Sequence, residues 1–406
     1  MKIGIIGAGI SGLSIGQLLK DNHDVVLLEK NNYKGGIAFV DNIDGIPYHK
    51  IGGHCFNTKN KSVLDFVFKL MPESQWNKVE RIAKIAFRGN MIDYPIEYSV
   101  QQIAKFEPIL AYNITKDFFA ADPSAPADNL AEWFRVKFGK TLAEEYLIPY
   151  NRKIWGIDPS EMSPDWVLGK LPLPNQFEFF NGLIGSQKDD MVHSTFYYPK
   201  INTQTKFIES LSQNLNIELN YEVRSIEKKL NGFVINNSDE FDLIISTMPL
   251  DNICKVLKCT EEIMQEAKKL KYNKISNMLW KSKPLKQTWT YFPEADTIFH
   301  RHIHIGNFMN PNCDYTITEA LGEFSYEELK LAGEKFDHLI EPIKSNTSEH
   351  AYVVFDKNYK SSRSKIIGYL DSIGVYTLGR FGEWEYYNMD KCIESALSLY
   401  NKIMKN

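Results

Sequence analysis

The chain alternates between two textures of apolar and polar positions. Lys2 to Ile6 is an unbroken apolar run, the pattern of a parallel strand buried on both faces, and Asp24 to Glu29 (DVVLLE) repeats it. Between them, Gly12 to Lys20 places Leu13, Leu18 and Leu19 at helical spacing, so the order is strand, glycine turn, helix, strand, a Rossmann-type βαβ unit. Ser62 to Leu70 predicts a further helix. From roughly 97 to 195 the pattern becomes helical and aromatic-rich (AEWFRVKF, AEEYLIPY), broken by proline-containing loops. Residues 207 to 249 return to the first style, with the helix FIESLSQNL and the strand FDLIIST. From about 273 to 356 the segments WTYFPEAD, TIFHRHIHIGNF, DYTITEAL and AYVVF alternate as an antiparallel sheet does. Gly374 to Asn406 runs strand, Gly379-Arg380 and a last helix from Met389.

This texture predicts an α/β protein. A split Rossmann-type domain is expected from 1–96, 196–250 and 357–406, with an inserted helical region at 97–195 and an antiparallel β-sheet domain, the expected substrate domain, at 251–356. The chain of 406 residues, 43% hydrophobic, is long enough to bury a large core. Its net charge of −4 offers no basic surplus to hold nucleic acid, which removes that class of partner. The five cysteines are scattered without a CxxC pair or the spacing of a closed zinc site, so no metal is expected and the thiols read as reduced. No apolar stretch approaches the roughly 20 residues that span a bilayer, and the glycine spacing within Met1 to Leu19 argues against a secretory leader. The expectation is a soluble, cytoplasmic protein.

The chemistry is densest at the first turn. In Gly7-Ala8-Gly9-Ile10-Ser11-Gly12 the first glycine makes a tight turn, the second lets a pyrophosphate approach the backbone, and the third lets the helix pack on the sheet. Glu29, with Lys30 after it, ends the second strand, where a carboxylate accepts hydrogen bonds from an adenosine ribose and repels a 2′-phosphate. Gly35-Gly36, six residues beyond Glu29, resembles the second fingerprint of FAD enzymes and favours FAD over NAD. At the other end, Gly379-Arg380 lies where a strand feeds the last helix. Glycine there permits close approach, the guanidinium pairs with phosphate, and the helix start at Tyr387-Asn388-Met389 faces the flavin.

Several segments resemble UDP-galactopyranose mutase and its relatives in the FAD-linked amine oxidase and protoporphyrinogen oxidase group. They are the N-terminal fingerprint, HKIGGHCFNTKNKSVLDFV, YNRKIWGIDPSEMS, IFHRHIH and GRFGEWEYYNMD, in the family's order and over most of the chain. The resemblance implies FAD, active in its reduced form, and sites at Gly53 and His54 in a loop bordering the flavin ring, with Val223 among the cofactor contacts. It implies a chemistry in which N5 of the reduced flavin attacks the anomeric carbon and displaces the nucleoside diphosphate, and the sugar ring opens and recloses as a furanose with no net redox change. The expected activity is a nucleotide-sugar pyranose/furanose mutase serving surface polysaccharide synthesis. A homodimer is expected. The rival reading is an FAD-dependent oxidoreductase of the amine oxidase or protoporphyrinogen oxidase type.

Carried over residue by residue, the resemblance makes Tyr150 the aromatic that stacks on the base and Trp155 the tryptophan beside the sugar. Arg301 lies near the diphosphate, and Tyr386 and Tyr352 contact phosphate. His54, Arg301 and Trp155 form the expected catalytic set. Without the resemblance Tyr150 and Trp155 read as core aromatics. The alternation in FHRHIH predicts His300, His302 and His304 on one face of a strand and Arg301 on the other. Three places depart from the family: Lys170 stands where a second diphosphate arginine is usual and loses the bidentate fork, Asn388 replaces an acid, and Tyr198-Pro199-Lys200-Ile201-Asn202-Thr203 stands where relatives usually have a proline and two glycines. These departures bear on the substrate and leave the cofactor site intact.

Overall fold

The computed structural model describes residues 1–167, 171–185, 195–309 and 314–405. The strands of its two large sheets are β1 (Lys2–Ile6), β2 (Asp24–Leu28), β3 (Ala83–Phe87), β4 (Asn90–Asp93), β5 (Asn216–Glu218), β6 (Leu243–Ser246), β7 (Lys271–Ser282), β8 (Trp289–Tyr291), β9 (Phe299–Ile303), β10 (Tyr315–Leu321), β11 (Leu339–Val354) and β12 (Val375–Thr377). The helices that matter for the sites are α1 (Ile10–Leu19), α2 (Ile148–Trp155) and α3 (Met389–Ile403). The chain divides into two compact units, one of residues 1–78, 197–271 and 358–406, the other of residues 79–196 and 272–357.

In the first unit five strands run in the order β12-β6-β1-β2-β5, and every pairing is parallel. A parallel sheet is covered on both faces, which is why β1 and β2 show continuous apolar runs instead of alternation. α1 packs against α3, and Ile3, Ile5, Leu13, Leu27, Phe207 and Ile393 meet in the core beneath them. β1 is central, paired with β2 on one side and β6 on the other. The loops leaving the C-terminal ends of β1, β2, β6 and β12 therefore gather at one edge, the place where open α/β sheets bind ligands.

The second unit holds a seven-stranded sheet, β11-β7-β10-β9-β8-β3-β4. The pairs β7–β10, β10–β9, β9–β8 and β3–β4 are antiparallel, while β8 and β3 are parallel, with Trp289 opposite Ala83. The sheet is thus mixed where texture alone predicts an antiparallel one. The helical region and the sheet form one unit, and the limits fall at 78/79 and 271/272 rather than at 96/97 and 250/251. Both differences have physical causes. The hairpin β3–β4 extends the sheet by pairing with β8, some 200 residues away, and so draws residues 79–96 into the second unit. The helix Glu261–Lys269 packs on Tyr359–Ser372, which holds 250–271 in the first.

Candidate functional site

At the C-terminal edge of the first unit's sheet the glycines are required by packing. A Cβ on Gly12 would overlap the carbonyl oxygen of Gly7, and one on Gly7, whose φ is +99°, would overlap the Thr247 hydroxyl. Gly35 N–H donates to the Ala8 carbonyl at 2.8 Å, and a Cβ on Gly36 would lie 3.1 Å from Gly9 Cα, so the doublet docks on the first loop backbone to backbone. Gly379 belongs to the same cluster, because a Cβ there would overlap Ser11 Oγ on the first turn of α1. Three regions far apart in sequence, 7–12, 35–36 and 379–382, thus meet at this edge.

Glu29 is 5% exposed. Its Oε2 accepts from Ala8 N–H at 2.9 Å and its Oε1 from Asn31 N–H and Nδ2 at 2.9 and 2.8 Å. A carboxylate oxygen has two lone pairs, so Oε1 is filled by its two bonds and Oε2 keeps acceptor capacity toward a ribose hydroxyl. Tyr221 N–H donates to the Glu29 carbonyl at 2.8 Å, which fixes the segment carrying the buried Val223 beside it. Lys30 is exposed. The N-caps of α1 and α3, Gly9 and Asn388, form no side-chain capping bond, so neither helix start is closed by its own side chain. Ile10 and Ser11 are buried in the first turn of α1, Met389 is buried at the start of α3, and Tyr387 packs on the core. The Arg380 guanidinium sits 4.7 Å from the Tyr386 ring. Backbone that any side chain would fill, two helix starts, a ribose-side carboxylate and an arginine are the donor set a dinucleotide needs, and FAD fits it.

Gly53 and His54 follow the hairpin of Val40–Ile43 and Ile46–His49. His54 N–H donates to His49 Nδ1 at 3.3 Å, and its carbonyl accepts from Gln204 Nε2 at 3.0 Å. His49 Nε2 pairs with the Tyr198 hydroxyl at 2.9 Å. Burial, aided by the neighbouring His54, holds His49 well below the ordinary histidine range, so this support is uncharged.

The second unit carries a cationic and aromatic cluster. Arg301 Nε donates to Glu319 Oε1 at 2.8 Å, and its Nη2 reaches the same oxygen at 2.6 Å and the Tyr352 hydroxyl at 2.7 Å. His300 Nε2 also meets Glu319 Oε1, at 2.9 Å. Glu319 is fully buried. Burial alone would raise its carboxyl, but the Arg301 charge and the His300 hydrogen bond prevail and hold it down to about 2. Trp155, 2% exposed, sits edge-on to Tyr352 at 5.9 Å and donates through Nε1 to Asn151 Oδ1 at 3.2 Å. Tyr150 is buried, stacks on Tyr146 at 5.5 Å and lies 6.0 Å from Tyr291. Ahead of α2, residues Ala143–Leu147 form a π-helical turn, because Pro149 has no N–H to return to the Glu145 carbonyl.

The structure thus brings Arg301, Tyr352 and Trp155 together, with Tyr150 on the same helix as Trp155. Tyr386 lies in the other unit beside Arg380, and Lys170 falls outside the described residues. The predicted alternation around Arg301 is corrected. The register shifts between Phe299 and Arg301, and this bulge lets both His300 and Arg301 turn onto Glu319. His302 and His304 keep the expected face: His302 Nδ1 meets His338 Nε2 at 3.1 Å, and His304 bridges the Thr290 and Thr316 hydroxyls. Among the described residues no group of three or more His, Cys, Asp or Glu is placed to hold a metal ion. Glu319 was missed by sequence reasoning. Its only signal was an acid in the interior of the predicted strand DYTITEAL.

Burial holds His302 well below the ordinary range, His304 down to about 3, His338 down to about 4, and His300 lowered as well. Unfolded, each would protonate near 6.5, so the stability of the neutral folded form is complete above that pH and lost as pH falls from 6.5 toward 3. Glu97, raised by burial to about 8, acts in the opposite sense, as do Glu383 and Asp390, whose carboxyls burial also raises. We expect the melting temperature to drop steeply between pH 6.5 and 4.5, His304 alone contributing roughly 2 kcal/mol. A flat melting temperature across that range would contradict the neutral assignment.

Fold and site together define a dinucleotide-binding protein of the Rossmann type with an attached sheet-and-helix unit. Residues 5–70 match the NAD(P)-binding Rossmann-like domain family. Over its whole length the chain is similar to dTDP-fucopyranose mutase of Escherichia coli, 21% identical with 100% of this chain and 99% of the relative aligned. UDP-galactopyranose mutase of Mycoplasma pneumoniae is 26% identical over 188 residues, which span 42% of this chain and 44% of the relative. Among solved structures, reduced UDP-galactopyranose mutase superposes with a TM-score of 0.86 at 21% identity, covering 100% of this chain and 94% of that one. The resemblance is therefore to the UDP-galactopyranose mutase-like group, and the shared fold extends across both units.

Proposed function

We propose that the protein is a flavin-dependent nucleotide-sugar mutase that interconverts the pyranose and furanose forms of its substrate in the cytoplasm, supplying surface polysaccharide synthesis. The observation that carries this reading is the end-to-end similarity to a dTDP-sugar mutase, supported by the Arg301 cluster in the second unit. The glycine cradle, Glu29 and Arg380 would hold FAD, with Gly53 and His54 beside the flavin ring. When bound, reduced flavin supplies the nucleophile, its N5 lone pair, toward the anomeric carbon.

The remaining work falls to this chain's residues. Arg301, with its direction set by Glu319, takes the diphosphate, which must be held while it is detached from the sugar and until it returns. Tyr352 and Tyr386 add hydroxyl donors to phosphate, Tyr150 supplies a face for the base, and Trp155 shapes the sugar side. Lys170 would add charge without a fork, and Asn388 would lower the negative charge at the start of α3. The reading is tested by Trp155→Phe, which keeps the aromatic body and loses the Asn151 hydrogen bond. Turnover should fall at least about tenfold, equivalent to roughly 1.4 kcal/mol, with the bound FAD per chain unchanged. Unchanged turnover would remove Trp155 from the catalytic set.

The partner we propose beyond the substrate is a second copy of the chain. In support, Ile109, Tyr112 and Phe119 on the helix Pro108–Ala120 and Phe177, Phe180 and Ile184 near the helix Gln176–Leu183 are 40 to 75% exposed. Phe118 and Phe179 stack at 3.9 Å, so the two helices meet next to these exposed apolar positions. Ile109→Glu with Phe177→Glu should convert a dimer to monomers in sedimentation, with FAD content retained. A wild-type protein that sediments as a monomer would end the proposal.

A further inference from the structure

Cys254 and Cys259 play no part in the sites described, yet the backbone forces them together. Helix Leu250–Val256 ends in a Schellman cap: Lys258 N–H returns to the Lys255 carbonyl at 3.2 Å, Cys259 N–H returns to the Cys254 carbonyl at 3.1 Å, and Lys258 takes the left-handed conformation with φ +50°. This cap brings the side chains three residues inside and two residues outside the helix end into contact, usually as an apolar pair. Here both are cysteines, 0% and 8% exposed, so the cap sets two buried thiols side by side. Tyr369, from the helix Tyr359–Ser372, lies close enough to feel both sulfurs, and Asp251 and Lys255 flank Cys254. Neither is in a disulfide, and the neighbouring Cys254 thiol lowers the pKa of Cys259, which favours the thiolate there.

We infer that Cys254 and Cys259 form a reversible dithiol that closes to a disulfide when the protein meets a hydroperoxide. The Cys259 thiolate attacks the peroxide oxygen, the O–O bond breaks, and Cys259 becomes a sulfenic acid with release of one water. The Cys254 thiol then attacks that sulfur, the S–O bond breaks, and a second water leaves, so two thiols and one hydrogen peroxide give one disulfide and two waters. The nearness the cap imposes on the two side chains keeps the sulfenic acid from advancing to the irreversible acids, and a dithiol reductant restores the pair.

The test treats the intact folded protein with hydrogen peroxide, alkylates remaining thiols after denaturation, and maps tryptic peptides without reduction. Trypsin cuts at Lys255 and Lys258, so the two cysteines land on separate peptides that stay joined only by the disulfide. We expect that joined pair, two hydrogens lighter than its parts, with Cys55 and Cys392 still alkylatable and the link removed by dithiothreitol. Cys254→Ser, which cannot resolve the sulfenic acid, should label with dimedone at Cys259 at least about ten times more than wild type. Circular dichroism of that variant would establish that it remains folded. Both cysteines remaining alkylatable at a peroxide dose that oxidises Cys55, or strong dimedone labelling of wild type without a joined peptide, would overturn the inference.

Discussion

Arg301→Ala is expected to reduce turnover by about 10²- to 10³-fold, the usual consequence of removing a preorganised electrostatic contact to a leaving group, while the bound FAD per chain stays near normal. The two effects separate because Arg301 and its partners lie in the second unit and the dinucleotide cradle in the first. The same substitution also costs stability. It leaves the Glu319 carboxylate fully buried without its cation, and breaking such a pair costs about 3 to 5 kcal/mol. Glu319→Gln should behave differently. It keeps the volume and one oxygen acceptor, but Arg301 loses the negative charge that pairs with its Nε and Nη2. Equal loss of FAD in both variants would show that the cluster acts only through folding.

The second large effect is expected at Gly9. A Cβ at this position meets nothing closer than Gly36 Cα at 3.8 Å, so alanine fits the folded chain without strain. It would nevertheless occupy the space through which a pyrophosphate reaches the backbone at the start of α1. Gly9→Ala should therefore lose most of its FAD absorbance after purification while the flavin-free protein melts within about 1 kcal/mol of wild type. Gly12→Ala is the contrast: its Cβ would overlap the Gly7 carbonyl, which is backbone and cannot turn aside, so folding and flavin fail together. Full FAD retention in Gly9→Ala would place the cofactor elsewhere.

The cradle was legible because its demands are steric and local. Only glycine satisfies the contacts of positions 7, 12 and 379, and an acid directly after β2, bonded to the glycine turn through Ala8 N–H, sits where a ribose must lie. The Arg301 cluster was half legible. The arginine could be found by resemblance, but its partner Glu319 is 18 residues away and is reached only through the strand register of β9 and β10 and the bulge after Phe299. The unit limits were hidden for a similar reason. The parallel pairing of β3 with β8 joins segments some 200 residues apart, and nothing in the alternation of either names its neighbour. Lys170, the position where the family pattern breaks most, lies outside the described residues, so its effect on substrate choice rests with the sequence.

The central claim is that flavin acts on a nucleotide sugar as a nucleophile. It is tested most directly by reducing the protein with dithionite, adding UDP- and dTDP-hexoses with cyanoborohydride, and weighing the released flavin by mass spectrometry. The account predicts flavin carrying one hexose from at least one donor, with the nucleoside diphosphate freed in equal amount. Unmodified flavin from every donor, bleached instead by an amine or alkene substrate in air, would contradict it and make the protein an oxidoreductase.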